Sequence, residues 1–163
     1  MPATYEPIAT TTLGSAAASI TFSSITSAYT DLRIVLRHQL ITSDGFVYFT
    51  FNGDTGTNYS YTQLRGDGAS ATSSRNTNVT ALQRIYSYIA QPAMSLIDIF
   101  SYTGSTNKTV LYTSEADQNG SGNVLRLVGL WRSTSAITSI TLTGINGNLA
   151  TGTTATLYGI LKA

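Results

Sequence analysis

Leu32-Arg33-Ile34-Val35-Leu36-Arg37-His38 is the stretch that decides the fold. Leu32, Ile34 and Leu36 fall on one side of a two-residue repeat, and Arg33 and Arg37 fall on the other. That alternation predicts a strand with one buried face. His38 has the parity of the three apolar residues, so it extends the core-facing row at the strand end.

The same grammar runs outward in both directions. Phe46-Val47-Tyr48-Phe49-Thr50-Phe51 is dense in aromatic and branched residues, as a strand with little exposed face should be. Tyr59-Ser60-Tyr61-Thr62-Gln63-Leu64 alternates again. Between them, Asn52-Gly53-Asp54-Thr55-Gly56-Thr57-Asn58 supplies the glycines and asparagines of a hairpin loop. Leu96-Ile97-Asp98-Ile99-Phe100 and Thr109-Val110-Leu111-Tyr112-Thr113 flank Gly104-Ser105-Thr106-Asn107-Lys108, a second predicted hairpin. Val124 to Trp131 is nearly continuous apolar sequence, broken by Arg126 and Gly129, and predicts a central strand. Tyr5 to Thr12 and Ser19 to Ile25 predict strands near the start, and Ile137 to Thr143 and Ala155 to Leu161 predict strands near the end.

Two stretches read differently. Val79, Leu82, Tyr86 and Ile89 have helical spacing, whereas Leu82, Arg84, Tyr86 and Tyr88 read as one strand face, and Pro92 stops either. Asp67 to Asn78, rich in Gly, Ser and Asn, is the most loop-like stretch. The whole pattern predicts an all-β chain: an antiparallel β-sandwich, a jelly roll of about eight to ten strands with extra edge strands. Residues 1–163 are expected to form one domain, with residues 1–13 as an extended N-terminal arm or an edge strand.

Composition narrows the function classes. The chain has 163 residues and no cysteine, which excludes a disulfide scaffold, a thiol nucleophile and a thiolate-bound metal. Charged residues make up 10%, against a usual ~25%. The 27 Thr, 19 Ser and ten Tyr predict a surface covered by hydroxyls rather than charges. Nine Lys and Arg against eight Asp and Glu leave no basic excess for nucleic acid or for a polybasic membrane anchor. Pro7 to Thr30 carries no charge but is mostly Thr, Ser, Ala and Gly, so it is not read as a membrane span. The first residues lack the basic and apolar regions of a secretory signal, which predicts a protein made and used without passing a secretion pathway.

Catalytic readings fare poorly. A hydrolytic triad needs a base, and His38 is the one histidine, on a core-facing row. Asp31, Asp44, Asp54, Asp67, Asp98, Glu6, Glu115 and Asp117 fall mostly in predicted turns, where carboxylates bond nearby backbone. Asn52, Asp54 and Asn58 cluster in one loop, but one carboxylate is too few for a calcium site. One His and no Cys argue against zinc. The chain is therefore expected to be no enzyme and to need no cofactor or metal. Trp131, Tyr59, Tyr61, Tyr86, Tyr88 and Tyr102 offer material for a sugar platform or for an interface, with burial the stronger reading for Trp131. Asn58, Asn78, Asn107 and Asn119 head Asn-x-Ser/Thr triplets, as expected by chance at this Ser and Thr content.

Several longer strings resemble a group of bacteriophage virion structural proteins. They are Tyr5-Glu6-Pro7-Ile8-Ala9-Thr10-Thr11-Thr12-Leu13-Gly14 with Ile20-Thr21-Phe22-Ser23-Ser24-Ile25, and Phe51 to Tyr61. Val128-Gly129-Leu130-Trp131-Arg132-Ser133-Thr134 and Leu157-Tyr158-Gly159-Ile160 complete them. The resemblance implies a small jelly roll of tailed phages of cyanobacteria and other aquatic bacteria, made in the host cytoplasm and resident in the virion. It implies a capsid decoration (cement) protein, a homotrimer bound to the phage major capsid protein. The alternative is a tail-fibre tip module that recognises host surface glycan. The expected contact residues are Tyr5, Glu6, Pro7 and Ile8, in a segment from Pro2 to Leu13 suited to strand addition, together with Tyr59 and Tyr61.

Overall fold

The computed structural model describes residues 4–89, 91–117 and 119–161. Among these there are twelve strands and no helix. In chain order they are β1 (Tyr5–Thr12), β2 (Ser19–Phe22), β3 (Asp31–His38), β4 (Gly45–Phe51), β5 (Tyr59–Gly66) and β6 (Ala71–Val79). Then come β7 (Leu82–Ser87), β8 (Ala93–Ile99), β9 (Lys108–Asp117), β10 (Gly122–Trp131), β11 (Ile140–Ile145) and β12 (Thr154–Ile160). They form an eight-stranded sheet, β1-β12-β3-β8-β9-β10-β5-β6, and a four-stranded sheet, β2-β11-β4-β7. All strand pairs are antiparallel, so the chain is an antiparallel β-sandwich.

Four pairs are nested: β1 with β12, β2 with β11, β3 with β8 and β4 with β7. Two pairs are inserted into this nest. β5 and β6 lie between β4 and β7 in sequence, and β9 and β10 lie between β8 and β11. Both insertions extend the large sheet beyond β8.

The alternating rows point inward as read. Leu32, Ile34, Leu36 and His38 are all buried on β3. Across the sandwich, Val47, Phe49 and Phe51 on β4 meet Tyr112 on β9 and Trp131 on β10. Phe49 packs edge-on to Tyr112 with ring centroids 5.3 Å apart, and Tyr59 stacks on Trp131 at 6.3 Å. Such pairs contribute roughly 0.5–1.5 kcal/mol each beyond area burial. Gly129 leaves room for Leu82, whose side-chain end would lie 2.7 Å from a Cβ at this position and would have to shift.

The predicted hairpin at Gly104 to Lys108 joins β8 to β9, and Val124 to Trp131 lies in β10, flanked by β9 and β5. Two expectations need correction. Asn52 to Asn58 makes no hairpin, because β4 and β5 belong to different sheets and the loop crosses between them. Asp67 to Asn78 is not a loop: the turn is confined to the residues before Ala71, and β6 follows, pairing with β5 from Gly66↔Ala71 to Tyr59↔Val79. Its Ser and Thr content suits a solvated edge strand, so it lacked an apolar row to announce it.

Of the two readings of Val79 to Ile89, the strand holds: the segment carries β7 and no helix. Leu82 and Ile85 are both buried although three residues apart. β7 has one extra residue opposite β4 between the Phe49↔Leu82 and Val47↔Ile85 pairs. Arg84 takes φ +76° in this bulge, which switches the inward parity and mimics helical spacing. The N-terminal segment is an edge strand of its own sheet: β1 pairs with β12 from Tyr5↔Ile160 to Thr12↔Thr154. Pro2 of the expected arm lies outside the described residues.

Candidate interaction surfaces

The predicted contact residues do not form one patch. Tyr5, Glu6, Pro7 and Ile8 lie on β1, the first strand of the large sheet, whereas Tyr59 and Tyr61 lie on β5, the seventh. On β1, the Tyr5 ring packs on Tyr158 at 5.0 Å, with the Arg33 guanidinium 5.6 Å from its centroid. Arg33 is itself held by Asp98, through Nε to Oδ1 at 2.5 Å and Nη2 to Oδ2 at 2.9 Å. Glu6 Oε2 accepts the Tyr29 hydroxyl at 3.0 Å, and that hydrogen bond holds the Tyr29 phenol above its ordinary pKa. Ile8 packs against the core.

Tyr59 and Tyr61 are core residues, 0% and 3% exposed. The Tyr59 hydroxyl donates to the Asp54 carbonyl at 3.1 Å and accepts the Phe51 N–H at 3.0 Å. Burial pushes its pKa up to about 12. The Tyr61 hydroxyl accepts Arg84 Nε at 3.4 Å. Their rings are therefore unavailable to an external partner. The signal for this was in their parity, since both alternate with Ser60 and Thr62.

His38 is equally removed from the surface. Nδ1 lies 3.0 Å from Ser87 Oγ and Nε2 lies 3.0 Å from Ser95 Oγ. Burial depresses its pKa to about 3, so it is a neutral interior group. The Asp54 carboxylate is also engaged, by Trp131 Nε1 at 2.7 Å, Asn58 Nδ2 at 3.0 Å and Gly56 N–H at 2.8 Å.

What the alternation did not reveal is the outer face of the large sheet. Leu64 on β5, Val124 and Val128 on β10, and Met94 and Leu96 on β8 all project into solvent. Leu64 is 58% and Val124 is 64% exposed, far from the usual state of a branched residue on a central strand. Register places them in neighbouring rows. Leu96, Thr113, Arg126 and Leu64 form one row across β8, β9, β10 and β5. Met94, Glu115 and Val124 form the next. Strands are spaced ~4.8 Å apart, so the band from β8 to β5 is roughly 14 Å wide. Its signal was the second apolar face of Val124 to Trp131: the inner row is buried and the outer row has no cover within this chain.

The four sheet edges also differ. β1 carries Pro7 and a bulge at Ile8, β2 has only four residues, and β7 has the Arg84 bulge. All three are blunted against strand addition. β6 runs for nine residues with no proline and no lysine, and Arg75 is its one charge. Most of it is exposed, and its extra residue falls near the end, between the Tyr61↔Asn76 and Tyr59↔Val79 pairs, so Ala71 to Asn76 is the longest edge run here without a proline or a bulge.

Comparison with known proteins returns nothing: no family model, no curated protein and no solved structure matches this chain.

Proposed function

We propose that this chain is a structural subunit of a tailed-phage particle, a capsid decoration protein that binds the outside of the head non-covalently. The observation that carries the reading is the set of exposed apolar side chains on the outer face of the large sheet, with Leu64, Val124 and Val128 on one side of Thr113 and Glu115 and Met94 and Leu96 on the other. Exposed apolar surface of this kind marks interaction sites. Covering it returns about 25 cal/mol per Å² of apolar area removed from water, before the entropy of association is subtracted. Binding only the assembled lattice shifts the equilibrium against shell rupture by mass action.

Three further observations support it. The nested strand pairs are the order expected of a jelly roll, with β5–β6 and β9–β10 as inserted pairs that widen one sheet. The Ala71 to Asn76 run of the β6 edge offers a second contact, for a neighbouring copy in a closed ring such as a trimer. The strings around Tyr5, Phe51, Val128 and Leu157 resemble phage virion proteins. The fibre-tip reading loses its intended platform, because Tyr59 and Tyr61 are interior.

The test is re-addition to bare heads. The wild-type chain is expected to saturate the lattice, and the double variant Leu64→Lys, Val124→Lys is expected to lose at least about tenfold in affinity, the equivalent of 1.4 kcal/mol. Full occupancy by a correctly folded double variant would remove the outer face from the mechanism.

A further inference from the structure

Beside the free edge of β7, a pocket of about 190 Å³ opens between the two sheets. Phe46, Tyr86 and Tyr88 form its aromatic wall, and Asp44, Asn123 and Asn146 are its polar lining. The wall is preassembled. Phe46 meets Tyr86 edge-on at 4.7 Å, Tyr86 stacks with Tyr88 at 6.5 Å, and the Arg65 guanidinium lies 5.4 Å from the Tyr86 centroid.

The polar groups are oriented too. Arg65 Nε donates to Asn123 Oδ1 at 2.5 Å, and Asn123 Nδ2 donates to the Tyr88 hydroxyl oxygen. Tyr88 thus accepts from Asn123 and keeps its own proton to donate. Asp44 Oδ1 accepts the Ile89 N–H at 2.8 Å, which fixes the carboxylate, while Oδ2 carries no donor among the described residues. A hydroxyl donor and a carboxylate acceptor on one aromatic pocket match a pair of adjacent hydroxyls, since each hydroxyl both donates and accepts. The volume suits one sugar ring rather than a chain. The Asp44 charge selects against anionic rings, and Arg65 is already engaged by Tyr86 and Asn123.

We propose that this pocket is a subsite for one pyranose ring of a neutral glycan, seated against Phe46, Tyr86 and Tyr88 and held through adjacent hydroxyls by Tyr88 and Asp44. It shares no residue with the outer-face band, so it can fail or hold independently of the assembly proposal.

The experiment is a heteronuclear NMR titration of the full chain with methyl glycosides of glucose, galactose and mannose, with N-acetylglucosamine, and with glucuronate. At least one neutral sugar is expected to shift the amides of Asp44, Tyr86, Tyr88 and Asn123 with millimolar affinity, and glucuronate is expected to bind more weakly. Asp44→Asn keeps an oxygen for the Ile89 N–H, and Tyr88→Phe keeps the ring. Each is expected to weaken binding by at least about tenfold, the loss of one charged or buried hydrogen bond. No shift with any neutral sugar at millimolar concentration, equal binding by both folded variants, or a preference for glucuronate would overturn the proposal. Unchanged head occupancy by Asp44→Asn would show that the two surfaces act separately.

Discussion

The indole N–H of Trp131 donates a 2.7 Å hydrogen bond to Asp54 Oδ2. It ties the last residue of β10 to the loop that carries the chain from the small sheet to the large one. Asn58 and the Gly56 amide converge on the same carboxylate. Burial raises the Asp54 pKa, but the donors from Trp131, Asn58 and Gly56 outweigh it and hold the group below its ordinary 3.8.

Asp54→Ala is expected to cost about 1–3 kcal/mol, because it strands the buried indole donor and frees the loop. Asp54→Asn should cost less, since one oxygen remains to accept. Because the folded pKa is depressed, the wild-type contribution is present above pH 3.8 and is lost as pH falls through the folded value. Urea midpoints followed by Trp131 fluorescence check all three statements.

His38 predicts a second pH dependence with its own window. Its folded pKa of about 3 lies far below 6.5, so between those values the unfolded chain binds a proton that the folded chain refuses. Stability is full above pH 6.5 and falls on acidification by up to about 1.4 kcal/mol per pH unit from this group. His38→Gln should flatten that slope. The difference between wild-type and variant urea stabilities across pH 6.5 to 3 isolates it, and equal slopes would contradict the burial.

Lys108 is fully buried, with no carboxylate partner among the described residues. Nζ donates to the carbonyls of Gly104 and Thr106, both at 2.6 Å, and so closes the β8–β9 loop. Lys108→Met keeps the packing volume and removes both donors. A loss of about 1–3 kcal/mol is expected, with faster amide exchange in the loop at residues 104–107.

On the outer face the expectation is reversed. Leu64→Lys and Val124→Lys replace exposed side chains, so each should change folding stability by no more than about 0.5 kcal/mol. Each should nevertheless weaken binding to bare heads, read as lower occupancy at a fixed concentration in the re-addition assay. Large destabilisation would mean that these residues support the fold rather than a partner.

Much of the sandwich was legible because alternation is a local property. Leu32 to His38 announced its inward row without help from the rest of the chain. Sheet membership was not legible, because Asn52 to Asn58 has hairpin composition yet is held across the sandwich by Trp131, distant in sequence. β6 had no apolar row to read, and the Arg84 bulge gave β7 a helical spacing beside its strand alternation. Tyr59 and Tyr61 misled because a hydroxyl on an apolar ring suits surface and core alike. The proposed glycan pocket draws Phe46, Tyr86 and Asn123 from three strands, so no single segment carried its pattern.

The central claim is that this protein acts by covering a large assembled surface with its own outer face. Copy number in purified particles, from gel densitometry against the major capsid protein, tests it most directly. The account predicts on the order of hundreds of copies, as head symmetry requires of a decoration subunit. About a dozen copies would place the chain on the tail, and none would remove it from the particle; either result contradicts the account.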